Sequence, residues 1–220
     1  MSVMRLKRSK LTHHQTNELL KMFVSGTTAR TAAKILGLNR NTAINFFKRI
    51  RTAIAAHQER QWPFDGEVEV DESYFGGRRK GKRGRGAAGK IPVFGILKRG
   101  GKVYAQVIAN AQAKTLMPII KERILPDSIV YSDTFRSYNS LNVEGYHHVR
   151  INHSKAFATS KHNHINGIEN FWNQAKRHLR KFNGIPKNSF NLYLKECEWR
   201  FNSRDTQKLL KSLRKIMKSY

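Results

Sequence analysis

The sequence has 220 residues, of which 42 are Lys or Arg and 15 are Asp or Glu, so its net charge is +27. The length suits one or two domains. The charge favours nucleic acid over a membrane as partner, because no segment approaches the roughly 20 apolar residues of a transmembrane helix. The single cysteine, Cys197, excludes an internal disulfide and a cysteine-based zinc site, and it fits a reducing cytoplasm.

Residues 1–60 predict a small all-α domain with a helix-turn-helix. Thr12 and Gln15 form a capping box at the start of an amphipathic helix. After a second short helix, Gly37 supplies a tight turn and Asn39 caps a third helix. A helix, a glycine turn and a polar-capped helix are typical of the helix-turn-helix motif.

The exposed face of the predicted third helix carries residue types that reach base edges or phosphates from the major groove. They are Arg40, Asn41, Thr42, Asn45, Lys48 and Arg49. An ordinary three-helix bundle with a basic surface is the alternative. The charge of the whole chain favours DNA binding.

The stretch Glu67–Gly77 reads E-V-E-V-D-E-S-Y-F-G-G, an alternation typical of a strand with one apolar face. Asp71 lies towards its end, beside a flexible glycine loop. Such a carboxylate suits a hard divalent metal, which prefers oxygen ligands. The alternative is an edge strand with a solvated acidic face. Glu72 is an alternative ligand, but it points to the opposite strand face from Asp71, so a structural role is favoured for it.

Residues 76–90 contain seven lysines or arginines interleaved with glycines. The glycines disfavour regular structure, so we interpret this segment as a flexible arm lying along DNA phosphates. Its candidate contacts are Arg78, Arg79 and Lys80. A solvated loop is the alternative.

A hairpin, a helix and two further strands are predicted next, with Asp133 just past the end of a short buried strand. A strong amphipathic helix follows from Ile165 to Phe182. It carries Glu169 beside its apolar stripe and, two turns later on the same side, Lys176. Trp172, within the stripe, is interpreted as a core residue.

The order of these elements predicts an α/β catalytic domain over residues 61–205, with a mixed sheet flanked by helices. Residues 206–220 predict a basic C-terminal helix, which we expect to be ordered only in an assembly.

Adjacent strand ends bring Asp71 and Asp133 together in this layout, and the long helix supplies Glu169 from its margin. Three close carboxylates repel one another unless a cation lies among them. Two metals roughly 4 Å apart can activate an attacking oxygen and stabilise the leaving oxygen of a phosphodiester. The spacing therefore predicts a two-metal site.

Three motifs give the chain a resemblance to the DDE transposases of bacterial insertion sequences, in particular the compact group with the ISXO-type transposase domain. They are V-D-E-S-Y-F-G-G (Val70–Gly77), Y-S-D (Tyr131–Asp133) and H-I-N-G-I-E-N-F-W-N-Q-A-K (His164–Lys176). The resemblance covers roughly residues 60–205. It implies a ribonuclease-H-like catalytic fold, here preceded by the helix-turn-helix domain. Many relatives carry an N-terminal zinc ribbon, which this chain lacks.

The resemblance also implies roles for single residues. Asp71, Asp133 and Glu169 match the metal-binding catalytic triad of that group, which uses two divalent ions, Mg²⁺ or alternatively Mn²⁺. Lys176 matches a lysine of the same pattern and is expected to contact DNA. His164 and Asn166 precede the catalytic helix and are expected to support the site.

We therefore expect a cytoplasmic, nucleoid-associated transposase that binds transposon ends and target as double-stranded DNA, with no membrane partner. It is expected to work as a homo-oligomer on DNA and to catalyse metal-dependent cleavage and strand transfer. Two alternatives are a helix-turn-helix regulator derived from a transposase and a nuclease of the same fold that hydrolyses without strand transfer.

Overall fold

The computed structural model describes residues 10–59, 63–76, 89–133, 136–138, 145–151 and 164–220. The chain forms two compact units. The helical unit comprises residues 1–60 and 178–220, and the sheet unit comprises residues 61–177. Over the described ranges, no helix has the length and apolar character needed to span a bilayer.

The helical unit begins with the predicted helix-turn-helix. Its helices are α1 (His13–Val24), α2 (Ala29–Ile35) and α3 (Arg40–Gln58). Thr12 and Gln15 form the expected capping box, and the Asn39 side chain accepts a hydrogen bond from the backbone N–H of Asn41 at 2.9 Å. Gly37 has φ +62° in the turn, which a glycine adopts without strain.

Two C-terminal helices complete this unit, α6 (Phe190–Ser203) and α7 (Thr206–Ser219). α6 packs on α3, and α7 packs on α1 and α3. The helix predicted over 206–220 is therefore present as α7. Its buried Leu209, Leu213, Ile216 and Met217 join the same apolar core as the helix-turn-helix.

Buried ion pairs hold α6 against α3. The Glu196 carboxylate accepts hydrogen bonds from Arg51 at 2.7 Å and from Arg200 at 2.9 Å, and it lies 3.0 Å from the His178 ring. Burial alone would raise the pKa of Glu196, but the hydrogen bond from His178 and the two guanidinium charges hold that pKa well below its ordinary value. These contacts explain why residues 178–205 group with the N-terminal helices, whereas the sequence placed them in the catalytic domain.

The sheet unit is built on five strands in the order β3-β2-β1-β4-β5. Their bounds are β1 (Glu67–Phe75), β2 (Ile91–Lys98), β3 (Val103–Val107), β4 (Ile129–Asp133) and β5 (His147–Ile151). β1, β2 and β3 pair antiparallel, whereas β4 pairs parallel with both β1 and β5. This is the mixed sheet flanked by helices that the sequence predicted.

The two faces of the sheet are covered by helices α4 (Ala113–Arg123) and α5 (Asn166–Arg180). Val68 and Val70 of β1 enter the apolar core shared with α4. Asp71 alternates with them and faces α5. The predicted arm contacts Arg78, Arg79 and Lys80 lie outside the described residues.

A substitution in α7 tests whether it belongs to the helix-turn-helix core. Leu213 is fully buried there, so Leu213→Ala should lower the free energy of unfolding of the helical unit by about 2–5 kcal/mol. The measurement is amide hydrogen exchange, which should become faster in α1 and α3.

The matched control is Lys211→Ala, which removes an exposed side chain of the same helix and should change stability by no more than about 0.5 kcal/mol. Unchanged exchange in α1 and α3 of the Leu213→Ala variant would contradict the packing of α7 described above.

Candidate active site

The candidate site lies where β1 and β4 stop pairing. Their register runs from Glu67 opposite Ile129 to Glu69 opposite Tyr131. Asp71 on β1 and Asp133 on β4 both follow the last paired residues. Parallel neighbours bring their carboxyl ends to one edge of a sheet, and this explains why residues distant in sequence meet here.

Three carboxylates meet at this edge. Asp71, Glu72 and Asp133 each offer an oxygen, and these oxygens lie within 4.8 Å of one another. Glu72, for which a structural role was favoured over that of a ligand, is therefore part of the cluster. Its carboxylate accepts a hydrogen bond from the buried Tyr138 hydroxyl at 2.9 Å, and it also reaches the cluster. The end of the β1–β4 ladder explains this, because side chains from both faces of β1 can enter the gap between the strands.

The cluster is strongly negative. Burial, together with the charges of Glu72 and Asp133, raises the pKa of Asp71 to about 7 against the opposing hydrogen bond from Trp172. The donors are all carboxylate oxygens, the ligands that Mg²⁺ and Mn²⁺ prefer. The residues present therefore fit a hard divalent cation, which would relieve their repulsion.

Helix α5 supplies the remaining predicted side chains. Glu169 and Lys176 line a cleft of about 680 Å³ together with Asp71 and Glu72. Glu169 is half-buried in that cleft. Among the described residues, the group within 4.8 Å contains Asp71, Glu72 and Asp133 but not Glu169. The structure thus brings the predicted aspartates together and places the predicted glutamate across the same cleft.

The Lys176 side chain is exposed, and its Nζ lies 5.7 Å from the centre of the Phe75 ring. Lys90 lines the cleft as well. Two cations beside the carboxylate cluster are suited to hold an anionic ligand over it.

A buried glutamate fixes the start of α5. The Glu69 carboxylate is almost fully buried and accepts the backbone N–H of Ile168 at 2.9 Å. This contact satisfies one of the unpaired N–H groups at a helix N-terminus, where negative charge is also favourable. A Cβ on Gly167 would lie 2.8 Å from both Glu69 Oε2 and Leu97 Cδ2, so a larger residue there would displace one or both side chains.

Arg99 completes this contact. Its Nε lies 3.3 Å from Glu69 Oε1, its guanidinium donates to the carbonyl of His164 at 2.6 Å, and it stacks 3.5 Å from the centre of the Tyr131 ring. His164, predicted to support the site, accepts the Arg99 hydrogen bond through its backbone carbonyl, and its ring Nδ1 lies 3.8 Å from Glu69 Oε1. Asn166, the other predicted support, is exposed as the first residue of α5.

Sequence reasoning missed the roles of Glu69, Arg99 and Trp172. The Trp172 indole N–H donates to Asp71 Oδ2 at 3.0 Å. Glu69 alternates with Asp71 along β1, so the strand pattern could have placed both on the α5 side. The partners of Arg99 and Trp172 lie far away in sequence and carry no local signal.

The predicted DNA-reading residues lie on the first part of α3. Five are exposed and Arg49 is half-buried. The exposed ones are Arg40, Asn41, Thr42, Asn45 and Lys48. This face of α3 is therefore accessible to a binding partner.

Residues 63–202 match the family model of the ISXO2-like transposase domain. Among curated proteins, an uncharacterized transposase-like protein of Haemophilus influenzae is 60% identical over 117 residues, which is 53% of this chain and 94% of that protein. An uncharacterized protein in transposable element ISH50 of Halobacterium salinarum is 25% identical over 171 residues, 70% of this chain and 58% of that protein.

Solved structures of Mos1 are distantly similar. The Mos1 strand transfer complex has a TM-score of 0.40 and 14% identity, with 98% of this chain and 81% of that chain covered. The Mos1 transposase paired-end complex with the left transposon end has a TM-score of 0.39 and 12% identity, with 99% and 82% covered. Likeness at this level says nothing about individual residues.

The raised pKa of Asp71 predicts a pH dependence of stability in the metal-free protein. Between pH about 4 and about 7 the folded state keeps a proton that the unfolded state, with an ordinary pKa of 3.8, has released. The free energy of unfolding should therefore fall as pH rises through this window, with a slope approaching about 1.4 kcal/mol per pH unit.

The measurement is urea unfolding with a chelator present, at several pH values from 4 to 8 on the full chain. Asp71→Asn, which cannot titrate, serves as the control, and its stability should lose this component of the slope. Parallel profiles for the two proteins would contradict a raised pKa at Asp71.

Proposed function

The chain belongs to the ISXO2-like transposase domain family, and we propose that it binds the ends of a mobile element and catalyses metal-dependent DNA cleavage and strand transfer. One observation carries the proposal. Asp71 and Asp133 approach each other at the ends of neighbouring parallel strands, and Glu169 on α5 faces the same cleft. All three lie within the matched domain.

Asp71, Asp133 and Glu169 would hold two divalent ions, Mg²⁺ or alternatively Mn²⁺. Such ions, when bound, activate the attacking oxygen and stabilise the leaving oxygen of a phosphodiester. The choice of Asp71 and Asp133 is supported by the oxygens that they bring within 4.8 Å of each other, and the choice of Glu169 by its place in the same cleft. Glu72, held by Tyr138, adds negative charge to the same place.

The cations of the cleft would position the DNA backbone. Lys176 lies seven residues after Glu169 on the same side of α5, so its ammonium group can hold a phosphate over the carboxylates. Lys90 offers a second contact from the start of β2. These groups bind and orient the substrate, whereas the acidic residues hold the ions.

End recognition would come from the helical unit. The exposed Arg40, Asn41, Thr42, Asn45 and Lys48, with Arg49 beside them, offer the groups that read base edges and phosphates in a major groove. The basic arm, with Arg78, Arg79 and Lys80, would add contacts to phosphates that are independent of sequence. The net charge of +27 supports a DNA partner.

Assembly follows from the reaction. A mobile element has two ends, and one chain carries one such cleft among its described residues. Cutting and joining both ends therefore calls for at least two copies, so we propose a homo-oligomer on DNA. The protein would be located in the cytoplasm and associated with the nucleoid.

Removing one metal-binding carboxylate should stop DNA cleavage and leave DNA binding unchanged. Asp71→Ala, Asp133→Ala and Glu169→Ala should each reduce cleavage of labelled end DNA by more than about 100-fold. The loss of a residue that only supports a metal ligand typically costs about 10–100-fold, and the loss of a ligand itself should cost more. Gel-shift affinity for the same DNA should remain close to that of the parent chain, because end binding is assigned to the helical unit.

The matched control is Asp127→Asn, which neutralises an exposed carboxylate of the sheet unit at φ +62°, a conformation that asparagine tolerates. Its cleavage rate should be unchanged. Undiminished metal-dependent cleavage in all three alanine variants would refute the assignment. A plasmid target added to the assay should yield joined products. Hydrolysis alone would indicate a nuclease, and binding alone a regulator.

Arg40→Ala and Asn45→Ala test recognition by α3. Each should weaken binding to the element's own ends by about 1–3 kcal/mol and weaken binding to random DNA less, because both residues lie on the face assigned to base edges. Fluorescence anisotropy with both DNAs measures the difference. Lys211→Ala, the loss of a cation from α7, should weaken both equally if at all. An equal loss on both DNAs for Arg40 and Asn45 would mean that α3 contacts only phosphates.

A further inference from the structure

Trp172 is buried between α5 and the sheet, yet its indole nitrogen contacts the carboxylate of Asp71. Its side chain is 3% exposed, and its indole N–H donates to Asp71 Oδ2 at 3.0 Å. A buried indole N–H needs an acceptor, and a carboxylate acceptor makes a stronger hydrogen bond than a neutral one. The contact therefore fixes one oxygen of Asp71 from the α5 side.

The residue opposite Asp71 makes this contact sterically possible. Asp71 pairs with Gly95 across the β1–β2 ladder. A Cβ on Gly95 would lie 2.6 Å from Trp172 Cζ2 and 2.9 Å from Ile168 Cδ1, distances that real Cβ atoms do not adopt. Glycine here gives the indole room to lie across β2 and reach β1.

Aromatic neighbours hold the ring in place. Phe75 meets it edge-on, with ring centres 6.1 Å apart at 72°, and Phe171 lies 4.8 Å away at 49°. Such pairs stabilise one orientation of the ring beyond the area that they bury. The indole is thus a rigid donor, and a rigid donor can orient a carboxylate before any ligand arrives.

We propose that Trp172 is a positioning residue, whose indole N–H holds one oxygen of Asp71 and leaves the other for a divalent cation, and that Gly95 is glycine to admit this ring. The proposal rests on the metal-binding role of Asp71 given above. It also links two ligands, because Glu169 lies one helical turn before Trp172 on α5. The same ring therefore sets the position of the helix and the orientation of the aspartate.

Binding of Mn²⁺ alone to the full chain tests this without any DNA or turnover. Free Mn²⁺ is followed by electron paramagnetic resonance during titration of the protein. Trp172→Phe keeps an aromatic ring and removes the donor, so the Mn²⁺ dissociation constant should rise about 10–100-fold. Gly95→Ala should raise it as well, since the added Cβ displaces the indole.

A second replacement separates the donor from the packing. Benzothienylalanine at position 172 has nearly the shape of tryptophan but a sulfur in place of the N–H group. It should weaken Mn²⁺ binding as Trp172→Phe does, with the melting temperature close to that of the parent chain. Trp199→Phe is the matched control, because Trp199 is a buried tryptophan of the helical unit whose indole N–H lies 3.4 Å from Ser212 Oγ. Its Mn²⁺ affinity should be unchanged.

Asp71→Ala distinguishes the metal-binding role of Asp71 from the positioning role of Trp172. If that variant loses Mn²⁺ binding while both Trp172 replacements keep the affinity of the parent chain, the positioning role is overturned and the metal site stands. If Asp71→Ala binds Mn²⁺ as tightly as the parent chain, the metal site and the positioning role fail together. Loss in Asp71→Ala and in both Trp172 replacements, with Trp199→Phe unaffected, supports both.

Discussion

Mutual repulsion among Asp71, Glu72 and Asp133 is the constraint on which the site depends. Their oxygens lie within 4.8 Å where β1 and β4 stop pairing. Burial and the charges of Glu72 and Asp133 together raise the pKa of Asp71 to about 7, so without a cation the cluster keeps a proton up to near neutral pH. The unfavourable charge is what makes the edge a good place for a divalent ion.

Helix α5 turns this edge into a cleft, and two contacts to β1 hold the helix there. Glu69 accepts the N–H of Ile168 at the helix start, and Asp71 accepts the indole N–H of Trp172 one turn later. Glycines at 95 and 167 permit the close approach. Glu169 lies between these two contacts, so its position is set by the same packing that orients Asp71. Fold stability and site geometry therefore depend on the same side chains.

Sequence alone indicated the sheet, the helix-turn-helix, and the aspartates that meet at the strand ends, because alternation and glycine turns are local signals. Alternation favoured a structural role for Glu72, and the hydrogen bond from Tyr138 fits that role, but alternation does not reveal that Glu72 also reaches the carboxylate cluster. The packing of α7 on α1 and α3 was missed because the apolar face of an amphipathic helix does not indicate which element it packs against. The grouping of residues 178–205 with the N-terminal helices depends on Arg51 and Glu196, which are 145 positions apart.

The central claim is that Asp71, Asp133 and Glu169 jointly hold divalent cations. Anomalous diffraction from a crystal of the full chain with Mn²⁺ and end DNA tests it most directly. The account predicts Mn²⁺ peaks at the end of β1 and β4, with an oxygen of each aspartate and of Glu169 within about 2.1–2.3 Å of an ion. Peaks held by Glu72 with Glu169 remaining apart, or no peak in this cleft, would contradict it.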